Sequence, residues 1–303
     1  MNIDFEWVFA TKQRTLTVLG GVFIALVAVA LVWYIVTSPL RGFVSGTVIA
    51  EDGSIRAVKI SVKEVGLEYY SIPDAQVALV VAVPAPQGGA IAYVTQTRDR
   101  QMHVSLSDGT KLGPTAISGE SVSVPQWSPE GISVALSKRD TEETGPEAWT
   151  VLRTVRQGDS LTVGRGVKPY PSPNQRTFAL SSDGVVLLSY SDNEPTVVIA
   201  SPVAVPETTP FAVSQDGTRV AWVAPADKSL QVFENVNGYF VPLLLQSKSP
   251  FQTLVFSPDG RHIIGGSHSE TATSLSIVKI SSGKTSALGA VSGLLELHTW
   301  NYE

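Results

Sequence analysis

The chain has 303 residues, with 22 Lys and Arg against 27 Asp and Glu, a net charge of −5, and no cysteine. Without cysteine there are no disulfides, thiolate metal sites, iron–sulfur clusters or cysteine nucleophiles. The mildly acidic balance argues against a broad nucleic-acid surface, which needs clustered Lys and Arg to neutralise phosphates. A chain of this length makes one large domain or two small ones.

Residues 1–14 read as a short cytoplasmic tail. Residues 15–37 (TLTVLGGVFIALVAVALVWYIVT, Thr15 to Thr37) contain no charged side chain. Roughly 20 residues at about 1.5 Å rise each cross a hydrocarbon core, and backbone groups in lipid must be satisfied internally. The stretch therefore predicts a transmembrane helix, with Trp33 and Tyr34 at its interfacial end and Pro39 stopping it in a linker over 38–42. Ala28-Val29-Ala30 resembles a signal cleavage site, but the apolar run continues through Val36, so an uncleaved signal anchor is the better reading. Lys12 and Arg14 precede the segment and Arg41 follows it. That bias predicts a cytoplasmic N-terminus and an extracytoplasmic body, although the margin is one residue and Asp4 and Glu6 lie nearby.

From residue 43 onward the pattern is short β-rich runs separated by Gly, Pro, Asp and Ser clusters. One motif recurs: APQGGAIAY from Ala85, SPEGISVAL from Ser128, SPNQRTFAL from Ser172, SQDGTRVAW from Ser214 and SPDGRHIIG from Ser257. The intervals are 43, 44, 42 and 43 residues, and Trp300 lies 43 residues after Ser257. Such a period, with four strands per copy, is in the β-propeller range. Phe256-Ser257-Pro258-Asp259-Gly260 and Trp127-Ser128-Pro129-Glu130-Gly131 carry an aromatic-Ser-Pro-acid-Gly turn. This repeat resembles that of TolB-like (WD-repeat-like) β-propellers, which are related to those of prolyl oligopeptidases and dipeptidyl peptidases. The resemblance covers residues 43–303. It implies a propeller and nothing of TolB's envelope-complex role, since TolB's separate N-terminal domain has no counterpart here.

With strands named A to D from the axis outward, one full copy reads as A over 122–127, B over 132–137, C over 149–155 and D over 161–164. The last copy reads as A over 251–256, B over 262–266, C over 275–280 and D over 285–288. Residues 294–300 then read as one more A strand with no B, C or D after it. Three unmatched runs, 43–50, 55–62 and 67–71, precede the first A strand at 76–83. The fold expected is therefore all-β: a six-bladed propeller over 43–303, closed by N- and C-terminal strands sharing one blade and preceded by one transmembrane helix. An irregular early blade would leave five or seven. The chain enters at a B strand, so the A–B turns should face the membrane. The B–C loops should face away, carrying Arg98, Asp99 and Arg100, and Lys138, Arg139, Asp140, Glu142 and Glu143 within KRDTEETGPE. These charged loops are the candidate partner-binding residues, because a rigid scaffold lets loops vary.

Candidate chemistry is sparse. Ser282-Gly283-Lys284-Thr285 imitates the end of a phosphate loop, but Val278 stands where its first Gly belongs, so a hairpin turn is expected. Gly265-Gly266-Ser267-His268-Ser269 lacks the second glycine of a nucleophile elbow. His103, His262, His268 and His298 show no metal-ligand spacing, although His262 and His268 could meet across a hairpin end. The recurring acids Glu130, Asp216 and Asp259 read as turn caps rather than a calcium ring. Trp127 and Trp222 read as core strand residues. No catalytic residue, cofactor or metal is expected. The function expected is a membrane-anchored, non-catalytic protein-interaction or scaffold module with a protein partner and no nucleic acid. A small-ligand or cell-wall-glycan receptor is the alternative, with a lactonase-type hydrolase behind it.

Overall fold

The computed structural model describes residues 23–24, 26–29, 42–50, 52–70, 78–85, 90–98, 102–107, 121–122, 124–128, 131–137, 148–153, 159–165, 167–171, 177–180, 186–191, 194–200, 209–243 and 250–301. The chain divides into two compact units, Met1–Arg41 and Gly42–Glu303. In the first, Phe23, Ile24 and Leu26 to Val29 are helical, and their side chains are exposed. The rest of the expected membrane segment lies outside the described residues. Among the described residues, no helix is long and apolar enough to cross a membrane.

The second unit is all-β. Its first strands are β1 (Phe43–Ile49), β2 (Ile55–Ser61) and β3 (Leu67–Tyr69), followed by β4 (Ala78–Pro84), β5 (Ile91–Gln96) and β6 (Met102–Leu106). Next come β7 (Ser121–Val122), β8 (Gln126–Ser128), β9 (Gly131–Ser137), β10 (Ala148–Arg153) and β11 (Asp159–Arg165). After these run β12 (Val167–Pro171), β13 (Thr177–Leu180), β14 (Val186–Ser191) and β15 (Glu194–Ala200). The later strands are β16 (Phe211–Val213), β17 (Arg219–Val223), β18 (Leu230–Val236) and β19 (Tyr239–Leu243), then β20 (Thr253–Phe256), β21 (His262–His268), β22 (Ala272–Lys279) and β23 (Lys284–Ser292). The last strand is β24 (Leu294–Asn301).

Among the described residues these strands make six antiparallel sheets, five of consecutive strands and one that joins the two ends of the unit in the order β24-β1-β2-β3. Val48 pairs with Leu295 and Gly46 with Leu297, with a bulge between Ser45 and Gly46. This is the pairing expected from the incomplete final copy. A Cβ on Gly46 would lie 2.6 Å from the Glu296 carbonyl oxygen, so the close approach of the two strands requires glycine there. The expected strand over 122–127 is instead split into β7 and β8, both paired with β9. Pro125 lies between them and has no N–H to give to a ladder.

Burial falls from the inner strands to the outer ones. Strand β17 (RVAWV) does not alternate in burial: Val220, Ala221, Trp222 and Val223 are all buried. A strand with a neighbouring sheet on each side hides both faces, so its apolar run becomes continuous. Ala212, Ala221, Val232 and Leu230 pack with Leu254, Ile263 and Val278 of the following sheet in one core cluster. The outermost strands β19 and β23 are mostly exposed.

Candidate functional site

The repeated turn fixes where each inner strand ends. Ser257 Oγ donates to Asp259 Oδ1 at 2.6 Å and accepts from the His262 amide at 2.9 Å, while Asp259 Oδ1 accepts from the Arg261 amide at 3.0 Å. Gly260 closes the turn at φ 64°. The preceding copy repeats this atom for atom: Ser214 Oγ to Asp216 Oδ1 at 2.6 Å, the Arg219 amide to Ser214 Oγ at 2.8 Å, the Thr218 amide to Asp216 Oδ1 at 3.0 Å, and Gly217 at φ 67°. Burial raises the Asp216 pKa, but the bonds from Ser214 and Thr218 and the Arg219 charge outweigh it and hold the carboxyl below its usual range. The recurring acids at 216 and 259 are therefore turn caps; Glu130 lies outside the described residues. Arg219 ion-pairs with Glu234 and donates to the Gly260 carbonyl, tying one sheet to the turn of the next.

The inner strands end around a shared cavity. Pro84 of β4, Trp127 of β8, Phe256 of β20 and Trp300 of β24 line it, with Val213 of β16. Its atom-free space is ≈ 420 Å³, part of which is open solvent at the mouth. The Trp127 indole N–H donates to the Val83 carbonyl at 2.9 Å, which fixes that ring between two sheets. Trp222 is a core residue, stacked on Phe233 with centroids 4.6 Å apart, whereas Trp127 is half-buried and lines the cavity.

Four residues that line this cavity each carry a buried side-chain polar atom with no hydrogen-bond partner among the described residues: Gln126 Nε2, His298 Nδ1, Thr299 Oγ1 and Asn301 Nδ2. Gln126, His298 and Asn301 are only 6%, 7% and 6% exposed. On its other side, His298 Nε2 lies 2.7 Å from Thr47 Oγ1, and Thr47 Oγ1 donates to the Val80 carbonyl at 2.5 Å. A hydroxyl has one proton. With it given to Val80, Thr47 accepts from the imidazole, so His298 carries its proton on Nε2 and Nδ1 is a bare acceptor. Burial, opposed by the Glu296 charge, pushes the His298 pKa down and keeps the ring neutral.

Of the loop residues singled out in the sequence, Arg98 is exposed just beyond β5. Gln96 pairs with Ala78, at the opposite end of β4 from the cavity residue Pro84. Asp99, Arg100, Lys138, Arg139, Asp140, Glu142 and Glu143 lie outside the described residues. His262 and His268 occupy opposite ends of β21, about 20 Å apart at strand rise, so they do not meet. His268 Nε2 donates to the Leu295 carbonyl instead, at 2.9 Å. Gly283, at φ 65°, turns the β22–β23 hairpin as expected. Among the described residues, no group of three or more His, Asp or Glu is placed to hold a metal ion.

Sequence reasoning did not find Gln126, Thr299 or Asn301. The signal that was available is position. Trp127, Phe256 and Trp300 occupy the same place in their copies, so their neighbours share one end of the sheets.

No family model matches the sequence, and no curated protein sequence matches it. Similarity to solved structures is extensive. TolB from Acinetobacter baumannii matches at TM-score 0.63 and 15% identity, covering 90% of this chain and 70% of that one. A candidate TolB from Agrobacterium tumefaciens matches at 0.53 and 14%, covering 86% and 94%. A candidate 6-phosphogluconolactonase from Bacteroides uniformis matches at 0.50 and 12%, covering 85% and 100%. The likeness gives the fold: an all-β propeller of the TolB-like kind.

Proposed function

We propose that this protein is a six-bladed propeller held to a bilayer by residues 15–37, with residues 1–14 in the cytoplasm, and that it serves as a non-catalytic scaffold for a protein partner on the extracytoplasmic side. The observation that carries this reading is the pairing of β24 with β1. It joins the two ends of the unit in one sheet, and a sheet edge so covered holds the loops on a rigid frame. The exposed apolar side chains of Phe23, Ile24, Leu26 and Val29 support the anchor, because lipid is the solvent that suits them. Arg98 and the stretch 138–147 supply the charged contact surface.

Protease treatment of intact cells tests the topology: cleavage within residues 43–303 is expected, and protection of everything after Arg41 would overturn export. Detergent co-purification with mass spectrometry tests the partner. A protein recovered with the wild type should be lost with Arg98→Glu/Arg139→Glu. Retention of the same protein by that variant would remove the loops from the contact.

A second reading, a small-ligand receptor, is favoured by the cavity at the end of the inner strands, lined by Trp127, Gln126 and Thr299 among others.

A further inference from the structure

We infer that β24 is an acid-sensitive latch: uptake of a proton by His298 favours release of β24 from β1, opening the sheet that joins the two ends of the unit while the sheets of consecutive strands stay folded. The inference is independent of the partner and receptor readings.

The first ground is what the imidazole ties together. His298 of β24 donates from Nε2 to Thr47 Oγ1 of β1 at 2.7 Å, and Thr47 gives its own proton to the Val80 carbonyl of β4. One side chain thus links three strands in two sheets. The bulge opposite Ser45 and Gly46 leaves His298 without a place in the ladder, so the ring itself secures that point of the strand. The arrangement suits the neutral ring, whose Nδ1 is buried and meets no partner among the described residues. A second ring proton would make Nδ1 a buried cationic donor with nothing to donate to, which is strongly disfavoured.

The second ground is the set of groups around the ring. Strands β1, β4, β8, β16 and β20 contain no titratable side chain. Tyr70 stands beside Ser45 of β1 as a neutral phenol, its pKa raised by burial. Strand β21 brings His268, which is committed to the Leu295 carbonyl, and β22 brings Lys279, which pairs with His262 at the far end of β21. Glu296, on β24 itself, favours the charged ring, but it is exposed and burial prevails.

The third ground is that β24 can leave alone. It is the last strand of the unit, and its ties are the β1 ladder and the amide bonds to Thr253 and Thr273. Terminal elements open with less free energy than inner ones. Once released, His298 meets water and takes up a proton near its ordinary pKa of about 6.5. The proton therefore stabilises the released strand and not the seated one, so falling pH moves the balance outward. Between pH 7.5 and 5.5 that shift approaches about tenfold, the most a group of this pKa can supply over the interval.

The test is hydrogen exchange on the full chain in detergent, read by mass spectrometry as protection factors, which remove the intrinsic effect of pH on exchange. Protection over 43–49 and 294–301 should fall about tenfold between pH 7.5 and 5.5, while that over 219–223 and 230–236 stays unchanged. His298→Gln keeps a donor for Thr47 but takes up no proton, and should abolish the fall; His262→Gln should retain it. Oxidised Ile49→Cys/Leu294→Cys should abolish the fall by tying the strand down, and reduction should restore it. An equal fall in all sheets, a fall that persists in His298→Gln or in the bridged protein, or no fall at all would overturn the inference. Should His298→Gln not fold, NMR titration of the wild-type ring takes its place: a ring that stays neutral through pH 5.5 in the folded protein is expected, and one that titrates near its ordinary value would overturn the latch.

Discussion

Single side chains do two separate jobs at the ends of the inner strands, and pH separates them. The Asp216 carboxylate holds a turn by accepting from Ser214 and Thr218. With its folded pKa below the usual value, ionised Asp216 contributes stability above the unfolded value of about 3.9, and that contribution is lost as pH falls through the folded pKa. Asp216→Asn keeps an acceptor but no charge, so its melting temperature should fall below wild type at pH 6 and converge with it as pH falls through the lowered folded pKa. Thermal melts across that range check this, with a gap on the order of 1 kcal/mol or less because solvent screens the site. His298 behaves in the opposite chemical sense. Its buried ring stays neutral, while the unfolded chain takes up a proton near pH 6.5. The unfolded state then binds more protons, so stability falls as pH drops from 7.5 through that value. Partly buried His262, also pushed down by burial, adds in the same direction. Urea melts at pH 7.5 and 5.5 should show a smaller drop in His298→Gln than in wild type.

Strand β24 makes hydrogen bonds along both of its edges. One edge forms the ladder with β1; the other takes side-chain bonds from the preceding sheet, with the Leu297 amide donating to Thr253 Oγ1 at 2.8 Å and the Leu295 amide to Thr273 Oγ1 at 2.9 Å. Leu295 and Leu297 are buried beneath it, each contributing about 1.5–3 kcal/mol. Gly46 is the tightest point of the ladder. Gly46→Ala should therefore lower stability by roughly 1–3 kcal/mol, read from denaturant midpoints, whereas Gly53→Ala, with nothing within 4 Å but a φ of 76°, tests backbone strain alone. This strand was legible in the sequence because the repeat carries its own phase: LLELHTW stands one interval after the last A strand and alternates as β24 does. The turns were legible for a related reason, since Ser, Pro, Asp and Gly act on their own local backbone. The cavity was not legible. Gln126 and Asn301 carry no local signature; their meaning comes from a meeting of strands distant in sequence. Trp127 packs from β8 against a core cluster, as an aromatic in strand phase signals, but that phase does not reveal that the residue also borders a cavity.

At the scale of the whole molecule, everything depends on two segments from opposite ends of the propeller unit lying in one sheet. Ile49 and Leu294 pair directly at the end of that sheet, and both are largely exposed, at 45% and 38%. Paired strand residues have Cα atoms within disulfide range. The chain has no other cysteine to compete. Ile49→Cys/Leu294→Cys should thus form an intramolecular bridge on mild oxidation, seen as a faster-migrating band that reductant abolishes. The bridge closes a loop of most of the propeller, so chain entropy alone sets an upper limit of about 5 kcal/mol of added stability, and strain lowers it. The oxidised protein should melt above the reduced one. Exclusively intermolecular crosslinks would mean that the closing strand belongs to another copy, and no crosslink at all would mean that the two ends do not share a sheet. In the first case a second copy would supply His298, Thr299 and Asn301 to the cavity, and in the second the cavity would lose all three together, because they reach it only through that strand.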